Sequence, residues 1–203
     1  MSLSSYISFF ILVFAIVYSP GPMTMFMMAN GIKMQYRNIF PILIGANNAY
    51  LLSILVFTVG LTQLLQQHTL IMKSIQIGGI IYLVYLAWCQ WYTKKIPSGT
   101  LEVRENPGSL YVKGALIALS NPKTILLFGV IFPQFVIEDE TRLMQILILG
   151  ITFLILQFSS GCIYAYFGKR IKTLMEKPEY QGLINKIAAL ALLMVAGFLL
   201  ARI

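Results

Sequence analysis

Residues 1–32 read MSLSSYISFFILVFAIVYSPGPMTMFMMANGI, and this stretch contains no Asp, Glu, Lys or Arg. A helix needs about 20 apolar residues to cross the hydrocarbon core of a bilayer, and this run is longer than that. Further charge-free runs follow at residues 38–72, 74–93, 124–137, 143–168 and 187–201. One such run could be a buried helix of a water-soluble protein, but six of them predict an all-α integral membrane protein with six transmembrane helices.

The composition of the whole chain agrees with a lipid environment. Of the 203 residues, 58% are hydrophobic and only 11% are charged, whereas a soluble domain carries about 25% charged residues. A net charge of +8 could indicate nucleic-acid binding, but membrane topology explains it better, so no nucleic-acid partner is expected. The first run has no basic residue ahead of it and no small-residue cleavage site, so we expect it to be retained as a helix.

The predicted spans are residues 4–30, 39–66, 70–92, 110–135, 143–168 and 184–202. The longest connection, 93–109, contains prolines and glycines and is typical of an irregular surface loop. The spans leave no connection long enough to form a second domain. We therefore predict a single transmembrane domain over residues 1–203.

The distribution of Lys and Arg predicts the orientation of these spans. Eleven basic residues lie in the connections after the first, third and fifth spans or within four residues of them, and three lie on the opposite side. The side rich in Lys and Arg is expected to be cytoplasmic, which places both termini on the outer side.

Two prolines 100 residues apart divide the chain into similar halves. Pro22 belongs to Ser19-Pro20-Gly21-Pro22 in the first span, and Pro122 belongs to Ser120-Asn121-Pro122-Lys123 in the fourth. Each half, about 1–92 and 110–203, contains three spans, and an odd number gives the halves opposite orientations. Paired spans interrupted by proline are typical of a transporter binding site, so we predict two inverted three-helix repeats whose first helices are broken at the prolines.

A proline inside a helix removes one N–H donor and frees the carbonyl four residues earlier. The carbonyls freed in this way belong to Ile16, Tyr18 and Ala118. Unpaired backbone groups are costly in hydrocarbon, so the breaks must face protein or water. The free N–H groups after each break and the free carbonyls before it suit the carboxylate and the ammonium of an amino acid, although either proline alone could be a simple kink.

Lys123 lies deep inside the fourth predicted span, whereas every other basic residue lies in a connection or within four residues of the end of a span. It lies ten residues after Lys113, or about 15 Å along a helix, which places it near the bilayer midplane. A charge at that depth marks a functional site, although the side chain could also extend towards an interface. All seven acidic residues lie outside the predicted spans, so the partner of Lys123 is a backbone carbonyl, a neutral side chain or, as we favour, a substrate carboxylate.

Other polar side chains lie within the second and fifth spans. Gln157, Ser159 and Ser160 are expected mainly to form hydrogen bonds between helices. Two adjacent amides, Asn47 and Asn48, are costly in one span and are better candidates for binding. The predicted substrate-binding residues are Pro20, Gly21, Pro22, Asn47, Asn48, Asn121, Pro122 and Lys123. We expect no catalytic residues, no metal ligands and no cofactor, because the spans contain no nucleophile–base pair and no cluster of carboxylates.

Two other functions remain open. Cys89 and Cys162 lie one in each half and could serve a membrane thiol–disulfide electron carrier, but neither sits beside a proline or a charge that would activate it. A heavy-metal cation exporter of related architecture lacks the expected ligands. The single histidine, His68, is expected at the surface.

The chain contains two distinctive motifs, SPGPM at 19–23 and SNPKTILLF at 120–128, and its second span contains Gly45 and Gly60. With these features the sequence resembles the lysine-exporter/homoserine-threonine-resistance (LysE/RhtB) family over essentially the whole chain. The resemblance implies efflux of amino acids across the bacterial inner membrane, driven by a proton or ion gradient. It places Pro20, Gly21 and Pro22 on the first motif and Asn121, Pro122 and Lys123 on the second.

The second span carries Asn47-Asn48 and no acidic residue, which argues against lysine or arginine as substrates. Neutral amino acids are therefore the expected cargo. The partners are this small-molecule substrate and the lipid bilayer, and faces of small residues allow a homodimer.

Overall fold

The computed structural model describes residues 1–33, 39–67, 69–92, 106–137, 141–168 and 178–201. Every regular element within these ranges is helical, which confirms the prediction of an all-α protein. The helices are α1 (Leu3–Tyr18), α2 (Pro22–Lys33), α3 (Phe40–Gln67), α4 (Thr69–Tyr92), α5 (Pro107–Leu119), α6 (Pro122–Leu126), α7 (Arg142–Tyr166) and α8 (Pro178–Leu200). A π-helical turn, Leu127–Ile131, and a 3-10 turn, Phe132–Gln134, continue α6.

The first predicted span is broken where the prolines lie. α1 ends at Tyr18, and α2 begins at Pro22 with its axis bent by 55°. Pro22 is the first residue of α2, a position whose N–H has no helical partner in any case, so a proline there is well tolerated. The bend therefore follows from the Pro20-Gly21-Pro22 sequence.

The fourth predicted span is broken in the same way. Asn121 has an extended backbone and caps α6, its side chain accepting a hydrogen bond of 3.1 Å from the Lys123 N–H. Pro122 follows in the first turn of α6. The π-helical turn, Leu127–Ile131, comes next, and such turns are frequent at functional sites.

The other predicted spans agree with α3, α4 and α7 to within two residues at each end. The last helix begins at Pro178, six residues before the predicted 184, because a proline is compatible with a first helical turn. His68, the connection 93–105 and the basic segment 169–177 lie outside the described residues, as do most of the residues on which the orientation prediction rests.

Among the described residues, two helical segments are long and apolar enough to cross a bilayer, Phe40–Phe57 and Arg142–Tyr166. The bent pair Leu3–Tyr18 and Pro22–Met28 forms a third candidate. The apolar parts of α4 and α8 are shorter, and the break before Pro122 interrupts the fourth predicted span. Side chains such as Ile11, Val56 and Ile155 are more than half exposed, which is the kind of surface that lipid solvates.

The helices pack in three main pairs, α3 on α5, α4 on α8, and α1 and α2 on α7. Glycines allow the closest approach between α3 and α5. A Cβ on Gly45 would collide with the backbone of Tyr111, and one on Gly114 with the backbone of Ile42. Since the order of these contacts runs in opposite directions along the two helices, α3 and α5 are antiparallel.

Candidate functional site

The two proline breaks face each other, and Lys123 joins them. Its Nζ donates hydrogen bonds to the Ser19 carbonyl over 3.0 Å, to the Ser19 Oγ over 2.6 Å and to the Pro20 carbonyl over 2.7 Å. The lysine thus reaches from the start of α6 to the carboxyl end of α1, where a helix dipole favours a cation. Two of the kinds of partner left open by the sequence, backbone carbonyls and a neutral hydroxyl, contact the lysine, and the substrate carboxylate stays a prediction.

Gly21 leaves room for this ammonium. A Cβ built at Gly21 would lie 2.9 Å from the Lys123 Nζ. The turn is also held from within, because the Thr24 Oγ1 accepts from the Gly21 N–H over 2.8 Å and lies 3.0 Å from the Gly21 carbonyl, to which it can donate. Small size at position 21 and the threonine at position 24 together determine where the lysine can sit.

The carbonyls freed by the prolines all have donors within the protein. The Ser19 hydroxyl donates to the Ile16 carbonyl over 2.7 Å, and the Tyr164 hydroxyl donates to the Tyr18 carbonyl over 2.8 Å. The Ala118 carbonyl accepts from the Asn121 N–H over 3.3 Å. The carbonyls that hold a cation are instead those of Ser19 and Pro20, one or two residues beyond the end of α1.

Helix α7 supplies several of the polar contacts to the end of α1. The Ser160 hydroxyl donates to the Val17 carbonyl over 3.2 Å, and the hydroxyls of Ser159 and Tyr18 lie 2.7 Å apart. The expectation of interhelical hydrogen bonds is therefore confirmed for Ser159 and Ser160. Gln157 differs from them, because its side chain is only 8% exposed and has no hydrogen-bond partner among the described residues.

A small cavity lies between the breaks and α7. Its volume is about 20 Å³, room for a water molecule and too little for an amino acid. Of the predicted binding residues, Gly21, Asn121 and Lys123 line it, and the Pro20 carbonyl is bonded to the lysine beside it. The remaining lining residues are Ile16, Val17, Ser19, Met23, Thr24, Thr124, Leu127, Phe153 and Gln157.

Asn47 and Asn48 do not line this cavity. The Asn48 amide donates to the Tyr111 hydroxyl over 3.0 Å on the α3–α5 face, and the binding role of both asparagines stays a prediction. Half a turn further along α3, the Tyr50 hydroxyl is fully buried beside the side chains of Thr124 and Asn121. It makes no hydrogen bond of good geometry within the part of the chain that the structure describes.

Sequence reasoning did not include Thr24, Thr124, Tyr50 or Gln157 in the binding set. The two threonines carried a signal, since they follow Pro22 and Pro122 by two residues in each half. The sequence contained no signal for the position of Tyr50, because aromatic residues are common in apolar spans. Within the described ranges, no three His, Cys, Asp or Glu side chains lie close enough to hold a metal ion. Neither Cys89 nor Cys162 forms a disulfide.

Within the described ranges the regular elements are helical, the apolar candidate spans include a bent first span, and a lysine joins two helix breaks. These are features of a membrane transporter. Residues 14–202 match the family model described as LysE type translocator, and the chain belongs to that family. It is accordingly a bacterial membrane transporter and not an enzyme.

Similar proteins occur in several bacteria. The chain is 29% identical over 184 residues to the homoserine/homoserine lactone efflux protein of Salmonella typhimurium, covering 90% of this chain and 89% of the relative. It is 29% identical over 194 residues to an uncharacterized membrane protein of Vibrio cholerae, covering 92% of each. It is 25% identical over 187 residues to an uncharacterized membrane protein of Bacillus subtilis, covering 85% of this chain and 87% of the relative. No solved structure matches the chain.

Proposed function

We propose that this chain exports amino acids with uncharged side chains across the bacterial inner membrane. Family membership supports a transport role, and the Salmonella relative is named for efflux of homoserine, an amino acid with a neutral side chain. The observation that carries the proposal is that the Lys123 ammonium donates hydrogen bonds to the carbonyls of Ser19 and Pro20. In this arrangement the ammonium can pair with the carboxylate of a zwitterion, and the two carbonyls can accept from its ammonium.

The substrate inserts between the lysine and those carbonyls. Its carboxylate pairs with the Lys123 ammonium, and its own ammonium takes the place of the lysine on the oxygens of Ser19 and Pro20. No net charge is added to the site, because a zwitterion brings one charge of each sign. A buried charge without such compensation would cost several kcal/mol.

Entry of the substrate requires the site to widen. The cavity of about 20 Å³ is too small for an amino acid, so α1 and α2 must separate from α6. The lysine contacts that close this gap are the ones the zwitterion replaces. Alternating access by rocking of one half against the other is the usual way to combine such steps.

The six spans form two inverted repeats, about 1–92 and 110–203, within one domain. The packing supports this arrangement, because the contacts are reciprocal. The broken helix of the first half, α1 and α2, packs on α7 of the second half, and α5 of the second half packs on α3 of the first. The third helices, α4 and α8, pack on each other, as a two-fold relation between the halves requires.

Transport by the purified protein in liposomes tests the proposal. Liposomes are loaded with radiolabelled L-homoserine, L-threonine or L-lysine, and release is measured with and without an imposed pH gradient. We expect faster release of the two neutral amino acids than from protein-free liposomes, and no effect on lysine. Release of lysine alone, or of none of the three, would overturn the proposal.

A further inference from the structure

A polar pair lies on the surface of the protein that lipid would cover. The Nδ2 of Asn48 in α3 donates a hydrogen bond of 3.0 Å to the hydroxyl of Tyr111 in α5, and both side chains are exposed. Asn48 lies near the middle of the apolar candidate span Phe40–Phe57, about 12 Å or more from either end of it. The amide is therefore at a depth that water and lipid headgroups do not reach.

The pair leaves one acceptor and one donor unused. The Tyr111 oxygen accepts from Asn48, and its own O–H hydrogen is still available. The Asn48 Oδ1 accepts no hydrogen bond from any residue that the structure describes. An amide and a phenol can each make more than one hydrogen bond. Because hydrocarbon chains offer neither donors nor acceptors, leaving these groups against lipid costs free energy.

Apolar side chains surround the polar pair. Residues 40–57 contain no Asp, Glu, Lys or Arg, so nothing in this segment would attract a charged partner. Leu52 and Leu55 follow Asn48 by one and two turns and share its side of α3. We call the exposed surface around the pair the Asn48 face, and besides Asn48 and Tyr111 it contains Ile44, Leu52, Leu55, Val112 and Leu116.

We propose that the Asn48 face is the contact between two copies of this chain in a homodimer with two-fold symmetry. In such a contact the same patch of both copies meets, so each unused group finds its complement on the other copy. The Tyr111 O–H of each copy donates to the Asn48 Oδ1 of the other. Together with the two Asn48–Tyr111 bonds within the copies, this closes a ring of four hydrogen bonds.

A second copy fits this face better than lipid or an unrelated protein. Lipid chains satisfy neither group, and an unrelated protein would have to carry a matching donor and acceptor at the same depth. A second copy carries both by symmetry. The Asn48 face is also separate from the cavity, whose lining includes none of its residues. The homodimer thus gives Asn48 a role in assembly, and the inference does not depend on which substrate is exported.

Counting subunits in a bilayer tests the proposal directly. The full chain is labelled with one fluorophore at its N-terminus and reconstituted into liposomes at a series of protein-to-lipid ratios. We expect two photobleaching steps per particle at high density and one step on dilution, which gives a dissociation constant. One-step traces at every density would overturn the proposal.

Two variants show whether this particular face forms the dimer. Tyr111→Phe and Asn48→Leu each interrupt the ring of hydrogen bonds, and we expect each to raise the dissociation constant about tenfold, since an interhelical hydrogen bond in a membrane contributes modestly. The double variant should be no weaker than either single variant. Tyr92→Phe is the control, because Tyr92 is an exposed tyrosine of α4 outside the Asn48 face. A Tyr111→Phe protein that dimerises like wild type would overturn the proposal.

Cross-linking in native membranes keeps the proposal testable if these variants fold poorly. Leu52→Cys is introduced together with Cys89→Ser and Cys162→Ser, and the membranes are treated with a short bis-maleimide. Met194→Cys, at an exposed position of α8, is the matched control. We expect a cross-linked dimer from Leu52→Cys and none from Met194→Cys. Equal cross-linking of both variants, or cross-linking of Met194→Cys alone, would place the contact elsewhere and overturn the proposal.

Discussion

The Lys123 ammonium donates a hydrogen bond of 2.7 Å to the carbonyl of Pro20, a residue 103 positions earlier in the chain. The contact joins the break of the first span to the break of the fourth. A lysine at this place has exchanged its hydration for three protein oxygens, two of them on Ser19. Any motion that parts the two breaks must supply a new partner for this cation, and the carboxylate of the substrate is suited to that role.

The first prediction concerns the charge of Lys123. Lys123→Ala should abolish export while the protein still reaches the membrane. The variant has no ammonium to pair with the substrate carboxylate, and none to join the two helix breaks. Lys123→Arg should also transport poorly, since a planar guanidinium needs more space than an ammonium. Radiolabelled amino-acid release from liposomes is the measurement. A purified Lys123→Ala protein with wild-type release would contradict the role.

The second prediction concerns the space beside the lysine. In Gly21→Ala the added methyl group meets the Lys123 Nζ at 2.9 Å, so the ammonium must shift from its three acceptors. We expect about a tenfold loss of transport rate, corresponding to one weakened charged hydrogen bond. Gly78→Ala is the control, because a Cβ there has no neighbour within 4 Å and should leave transport unchanged. Equal rates in the two variants would show that the close approach is unimportant.

The third prediction concerns the support of the first break. Tyr164→Phe removes the hydroxyl that donates to the Tyr18 carbonyl and leaves that carbonyl short of a donor. The free energy of unfolding should fall by about 1–3 kcal/mol, seen as a lower midpoint of thermal unfolding in detergent. Tyr92→Phe, at a side chain that is 58% exposed, should unfold like wild type. A Tyr164→Phe midpoint equal to that of Tyr92→Phe would show that the bend does not need this bond.

The fourth prediction concerns orientation. Eleven basic residues lie on one side of the predicted spans and three on the other. The side with eleven is expected to be cytoplasmic, which places both termini and Asp139 outside the cell. Single cysteines introduced at these positions, in a protein with Cys89→Ser and Cys162→Ser, should react with impermeant thiol reagents on intact cells. Labelling of either terminus only after lysis would exclude six spans with both ends outside.

The fifth prediction concerns the native cysteines. If the protein is an exporter and not a thiol–disulfide electron carrier, the double variant Cys89→Ser/Cys162→Ser should retain transport within about twofold of wild type, because both thiols lie outside the cavity lining. Amino-acid release from liposomes measures it, with Lys123→Ala as the inactive reference. Complete loss of transport in the double variant would favour the electron-carrier function.

Much of this protein follows from composition and local pattern. Charge-free runs and a low content of charged residues determine a helical membrane protein, because lipid cannot solvate charges or unpaired backbone groups. The places where helices break are also local, since a proline cannot continue the hydrogen bonding of a preceding turn. Lys123 stood out for the same kind of reason, as a cation far from either end of its predicted span.

The partners of these groups were decided by tertiary structure. Lys123 takes the carbonyls of Ser19 and Pro20 because the two breaks meet, and nothing in either motif encodes that contact. The sequence favoured Asn48 over Gln157 as a binding residue, yet the Asn48 amide donates to the Tyr111 hydroxyl and Gln157 lines the cavity. Helical periodicity assigns a residue to a face of its own helix, whereas the packing of helices far apart in the chain determines what that face meets.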